Sequence, residues 1–178
     1  MGCKKCEQVF KISVPKYGGI LYEDELWIVV HKGDPVGVEG HLQLVAKRHF
    51  QGPSDMTDAE AATVGLILRH CEHILQQVTG ASNIYTAALG SQYPHFHVHM
   101  VPVSKGTVMP EQGVEWDTFL QEKLAADGKL SVSDPKCAEI ANKFKRQMMK
   151  TPPQYTYHEQ SRLRPGWFVA WWHRLFLA

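Results

Sequence analysis

Ser91-Gln-Tyr-Pro-His-Phe-His-Val-His-Met-Val-Pro102 carries three histidines, at positions 95, 97 and 99, that alternate with apolar residues. Successive side chains of a β-strand point to opposite faces, so residues two apart share a face. Phe96, Val98 and Met100 then face a core, while His95, His97 and His99 project together, with neighbouring Cα atoms of the row roughly 6–7 Å apart. The pattern predicts a strand from His95 to about Val103. Tyr93, immediately before Pro94, is held extended by the proline ring. Imidazoles titrate near pH 6.5, so such a row suits chemistry at neutral pH.

The segments on either side frame this strand. Ile84-Tyr-Thr-Ala-Ala-Leu89 reads as a preceding strand. Before it, Thr57 and Glu60 stand in capping-box relation, Val64, Ile67, Leu68, Cys71, Ile74, Leu75 and Val78 follow at helical spacing, and Gly80 stops the helix. His70 and His73 fall on this helix at no metal-ligand spacing and read as surface residues. Further upstream, Ile20-Leu-Tyr22 and Leu26-Trp-Ile-Val-Val30 form a hairpin across Glu23-Asp-Glu25, and His41-Leu-Gln-Leu-Val-Ala46 is a mixed strand ending at Lys47-Arg-His49. Downstream, Trp116, Phe119, Leu120 and Leu124 make a helical stripe. Asp134-Pro135 reads as an N-cap followed by the first helical residue of a helix to about Met149, with Lys143, Lys145, Arg146 and Lys150 on a solvated face. Short links between strands favour an antiparallel α+β fold: about five strands, one long helix and additional C-terminal helices. We expect a core over residues 1–110 and a C-terminal helical extension with an aromatic tail over 111–178.

The 178 residues are 44% hydrophobic, enough for a real core, and the formal net charge of +1 provides no field toward nucleic acid. No run of about 18 apolar residues suggests a membrane span, and the start lacks a secretory pattern. Of the four cysteines, Cys71 and Cys137 sit in amphipathic helical patterns and read as core. Cys3-Lys-Lys-Cys6 has the spacing that gives two thiolates to one zinc, but needs two further ligands. Surface thiols, or acylation at Gly2 and Cys3, are the alternatives; the acylation pattern wants Ser or Thr where Cys6 stands. A reducing cytoplasm suits this cysteine usage. In the tail, Trp167, Trp171 and Leu175 share a helical row beside Phe168, Trp172 and Phe176. The plain reading is a segment docked on its own domain or a partner subunit. A membrane-surface anchor is the alternative and is not favoured.

The triad with its flanks resembles the signature of the histidine-triad (HIT) superfamily. Gly40-His-Leu-Gln-Leu-Val-Ala-Lys-Arg-His49 is similar to that family's upstream strand, and the helix between them matches in length, in entry by Thr57-Asp-Ala-Glu60 and in exit at Thr79-Gly80. The resemblance covers about residues 3–103. It implies a nucleotidyl hydrolase or transferase that works through a covalent histidine–nucleotide, with His97 the nucleophile, His99 positioning the α-phosphate and His41 supporting. It further implies a structural zinc held by Cys3, Cys6, His49 and His95, and a homodimer. Ser91 and Gln92 match small polar phosphate contacts, and Asp34 or His31 is matched to a ribose contact. Ala46 stands where the family usually has proline. Two other classes compete: a metal-dependent hydrolase with the triad as zinc ligands, and a nucleotide-binding protein without turnover.

Overall fold

The computed structural model describes residues 3–33, 38–89, 94–103 and 133–155. Asp34, Gly90 to Tyr93, the 116–124 stripe and the aromatic tail lie outside them. The chain opens with a short helix α1 (Lys4–Val9), capped by Cys3, whose Sγ accepts from the Cys6 amide at 3.5 Å. Read from sequence, this stretch is a metal clip with no helix assigned. The hairpin β1 (Ile20–Glu23) and β2 (Trp27–His31) follows as expected, turned by the Asp24 carboxylate, which accepts from the amides of Leu26 and Trp27 at 2.8 and 2.7 Å. Next come β3 (Leu42–Ala46), α2 (Asp58–Thr79), β4 (Asn83–Ala88), β5 (His97–Val103) and α3 (Asp134–Lys150).

The capping box of α2 is complete. Thr57 Oγ1 accepts from the Glu60 amide at 3.3 Å, and the Glu60 carboxylate accepts from the Thr57 amide at 2.7 Å. Gly80, with φ +68°, ends the helix in the left-handed conformation. α3 starts one residue earlier than expected: Ser133 is its N-cap and Asp134 its first helical residue. The Asp134 carboxylate is engaged elsewhere, accepting from the Tyr17 hydroxyl and from Lys16 Nζ at 2.7 Å.

All strand pairs are antiparallel and the order is β1-β2-β3-β5-β4, which places the histidine strand beside β3 inside the sheet. Alternation then divides labour between the faces. Trp27, Val29, Leu42, Leu44, Val98 and Met100 pack against Ile67, Cys71, Ile74 and Leu75 of α2 and Cys137, Ala141, Phe144 and Met148 of α3. Cys71 and Cys137 are fully buried in this core, as the helical pattern implies. The opposite face carries a smaller cluster of Ile28, Val30 and Val45, covered by Val9 of α1, and beside it the polar residues His41, Gln43, His97 and His99. Among the described residues, no helix is long and apolar enough to cross a membrane.

Candidate active site and metal cluster

β5 begins at His97, not at His95. The Ala46 amide bonds the Phe96 carbonyl at 3.1 Å, the Phe96 amide bonds the Phe50 carbonyl at 2.6 Å, and His95 lies in the bend ahead of the strand. The three histidines therefore separate into a pair on the sheet and one in the bend. Register places His97 opposite Val45 and His99 opposite Gln43. His97 and His99 are buried, with ring centroids 4.9 Å apart.

His97 Nδ1 lies 2.7 Å from the His95 carbonyl oxygen. A carbonyl only accepts, so Nδ1 carries a proton, and in the neutral ring the lone pair is left on Nε2. The bend at His95 thus orients the ring of the next histidine. His99 Nδ1 lies 2.8 Å from His41 Nε2, so one proton is shared between these buried rings. Burial, then the neighbouring charge of His99, holds His41 well below the ordinary imidazole range. Gln43 completes the group: its Nε2 is 3.4 Å from His99 Nε2 and 3.5 Å from His99 Nδ1. On its other side Gln43 Oε1 accepts from Lys5 Nζ.

His31 is not part of this assembly. It follows Trp27 and Val29 in phase and pairs with Leu42, which puts it on the helix-covered face, edge-on to Tyr17 at 4.9 Å between ring centroids. Its Nδ1 donates to the Lys32 carbonyl at 2.8 Å, and its Nε2 accepts from the Gly40 amide at 3.1 Å. Burial pushes its pKa down to about 4, so the ring stays neutral while it ties Lys32 to Gly40. Ser91, Gln92 and Asp34 lie outside the described residues.

Cys3, Cys6, His49 and His95 converge from three parts of the chain, with one ligand atom from each lying within 4.8 Å of every other. Cys3 Sγ is 3.4 Å and Cys6 Sγ 3.5 Å from His95 Nδ1, Cys6 Sγ is 3.4 Å from His49 Nδ1, and the two Nδ1 atoms are 3.2 Å apart. His95 Nε2 donates to the Ala46 carbonyl at 2.7 Å, which turns Nδ1 and its lone pair toward the cysteines. Burial, offset in part by that carbonyl, holds His95 below the ordinary imidazole range. Two cysteines, as thiolates, and two histidines in this arrangement could hold a metal ion. His70 and His73 stand apart on α2, bonded to the Thr151 carbonyl and to Gln77.

Two members of the site were missed in the sequence. Gln43 left a signal, a polar residue in phase with His41 inside an apolar strand. Lys5 left none, since a lysine beside another lysine in a cysteine clip reads as surface.

Compared with known proteins, the fold has clear relatives at low identity. A histidine triad family protein from Mycobacterium smegmatis, solved with zinc bound, is 17% identical with a TM-score of 0.60, covering 84% of this chain and 95% of that one. A HIT-like protein from Bartonella henselae is 15% identical with a TM-score of 0.59, covering 82% and 95%. A hypothetical histidine triad nucleotide-binding protein from Sulfolobus tokodaii is 15% identical with a TM-score of 0.57, covering 88% and 100%. No curated protein matches the sequence. The HIT domain family model matches residues 15–106, just over half of the chain and all five strands. With the triad, the sheet order and that match together, the chain belongs to the HIT domain family.

Proposed function

We propose that this protein is a nucleotidyl hydrolase or transferase that cleaves at the α-phosphate of a nucleoside phosphoramidate or dinucleoside polyphosphate, through a covalent nucleotidyl intermediate on His97. The observation that carries the reading is the tautomer of His97: proton on Nδ1, held by the His95 carbonyl, and lone pair on Nε2. In the first step Nε2 forms a bond to the α-phosphorus and the bond to the leaving amine or phosphate breaks. Water then attacks the same phosphorus and releases the histidine; an alcohol or phosphate in its place gives transfer. Phosphoryl chemistry asks chiefly for positioning and charge stabilisation. His99 serves as the phosphate-positioning residue and His41, at 2.8 Å, supports it. Ser91 and Gln92, a few residues before His97, are assigned as phosphate donors on the family resemblance, and Asp34 as the ribose contact. His31, with both ring nitrogens engaged on the other face, receives no nucleotide contact.

The metal is assigned as zinc with a structural role. Zn–S bonds of about 2.3 Å and Zn–N bonds of about 2.0–2.1 Å at tetrahedral angles separate S from N by about 3.6 Å and N from N by about 3.3 Å. The sulfur–nitrogen contacts of 3.4–3.5 Å and the nitrogen pair at 3.2 Å fit that geometry. Bound there, zinc fastens α1 to the bend that orients His97. Among the described residues this is the one group suited to a metal, and it takes only His95 of the triad. That weighs against a hydrolytic metal centre on His97 and His99. None of the four cysteines is in a disulfide, which suits a reducing compartment, and the family resemblance points to a homodimer.

The test is His97→Ala on a panel of nucleoside phosphoramidates and dinucleoside polyphosphates. Nucleotide binding that persists while turnover disappears supports the covalent reading; an unchanged rate refutes it. Tight binding by the wild-type protein with no turnover of any panel member would instead make it a binding module.

A further inference from the structure

We propose that Lys5 is a positioning residue for the phosphate site, acting through Gln43 to hold a hydrogen-bond donor against His99. The proposal rests on the reading that His99 positions the α-phosphate. Lysine is almost never fully buried, because burial costs both the hydration of its ammonium and the freedom of a long side chain. Lys5 is nonetheless only 7% exposed, and its Nζ donates to Gln43 Oε1 in the middle of the sheet.

That contact decides which way the Gln43 amide points. An ammonium has donors and no acceptor, so the amide must offer it the oxygen, and the amide nitrogen is turned to the opposite side. The opposite side is His99, at 3.4 and 3.5 Å from the nitrogen. Without Lys5 the amide is at liberty to rotate by half a turn and present its oxygen to His99 instead. Lys5 therefore fixes whether the phosphate-positioning histidine meets a donor or an acceptor. The register leaves little slack, since Gln43 sits directly opposite His99 on the neighbouring strand. Lys5 itself is anchored at both ends of α1: Cys3 and Cys6 flank it at the metal cluster, and Val9 docks on Ile28, Val30 and Val45. Its charge is also felt at His41 and His95, which places it amid the site's histidines.

The experiment compares the wild-type protein, Lys5→Met, Gln43→Leu and the double variant, each full length and zinc-loaded, with adenosine and guanosine 5′-phosphoramidates as probes. Each single variant is expected to lose about 10-fold in kcat/KM, the size of one hydrogen bond in the transition state. The double variant should lose no more than the worse single variant, because both act along one path. Ring-nitrogen NMR at one pH supplies a readout that simple loosening would not give: the His99 signals should move in both single variants while those of His73 stay in place. Additive losses, or unmoved His99 signals in Lys5→Met, would overturn the proposal. Should Lys5→Met lose metal or fold, Lys5→Gln, whose amide can offer Gln43 either a donor or an acceptor, takes its place under the same two criteria. If the wild-type protein turns nothing over, the nucleotidyl reading fails, and the NMR comparison still judges the Lys5–Gln43–His99 connection.

Discussion

His31 and His97 show how the same side chain takes opposite duties from its surroundings. Both are buried and both place a ring proton on a backbone carbonyl, but His31 gives its second nitrogen to the Gly40 amide, whereas His97 sits on the face that carries His99. The cost of His31 appears in its titration. Its pKa falls from the ordinary 6.5 to about 4 because burial disfavours the charged ring, with the Lys32 carbonyl opposing. The unfolded chain therefore takes up that proton first as the pH drops from 6.5 toward 4, and stability declines across this window. His31→Asn, which keeps a donor and an acceptor without a titrating ring, should lose less stability than the wild type between pH 7 and pH 5 in urea unfolding. Equal losses in the two proteins would show that His31 contributes nothing to the slope.

Elements are set by their ends more than by their middles here. Gly40 enters β3 with φ +75°, and a Cβ there would lie 2.8 Å from Pro102 Cγ and 3.1 Å from Thr79 Cγ2. Gly40→Ala should thus cost about 2 kcal/mol or more in urea unfolding, from backbone strain and overpacking together. At the start of α2, burial alone would raise the Glu60 carboxyl, but the Arg48 guanidinium and the Thr57 amide and hydroxyl outweigh it and hold the group below its usual value. Stability from this carboxylate is present above the ordinary Glu range and lost as the pH falls through its lowered pKa. Glu60→Gln should therefore weaken the protein at pH 7 and approach the wild type's stability in acid. A difference independent of pH would contradict the pairing.

Legibility followed from the same physics. The five strands and α2 were readable because hydrophobic period, turn residues and the Thr57–Glu60 box agree locally. The start of β5 and the N-cap of α3 were not, because each is settled by a partner far along the chain: the Cys3–Cys6 clip claims His95, and Tyr17 with Lys16 claims Asp134. His31 was matched to a ribose contact by resemblance alone, and a matched position does not say which sheet face meets the helices.

At the scale of the molecule, one sheet face packs on the helices, the other carries His41, Gln43, His97 and His99, and the cluster of Cys3, Cys6, His49 and His95 joins the N-terminal helix to the bend before β5. If the cluster holds zinc as proposed, removing the ion should affect the whole fold. Structural zinc sites contribute on the order of 10 kcal/mol in small domains. Cys3→Ser or Cys6→Ser should accordingly lose one metal equivalent and lower the melting temperature, and unchanged metal content in either variant would refute the ligand set. The two roles proposed for the triad meet at one backbone group, since the His95 carbonyl that accepts from His97 belongs to the residue whose ring enters the cysteine–histidine cluster. The most direct measurement is mass spectrometry of the intact wild-type protein, quenched without acid during turnover of a nucleoside phosphoramidate or dinucleoside polyphosphate. The expected result is a mass increase of one nucleotidyl group that maps to His97 and is absent in His97→Ala. Turnover with no adduct, abolished reversibly by chelation while the fold stays intact, would contradict the covalent mechanism and return the chemistry to a metal.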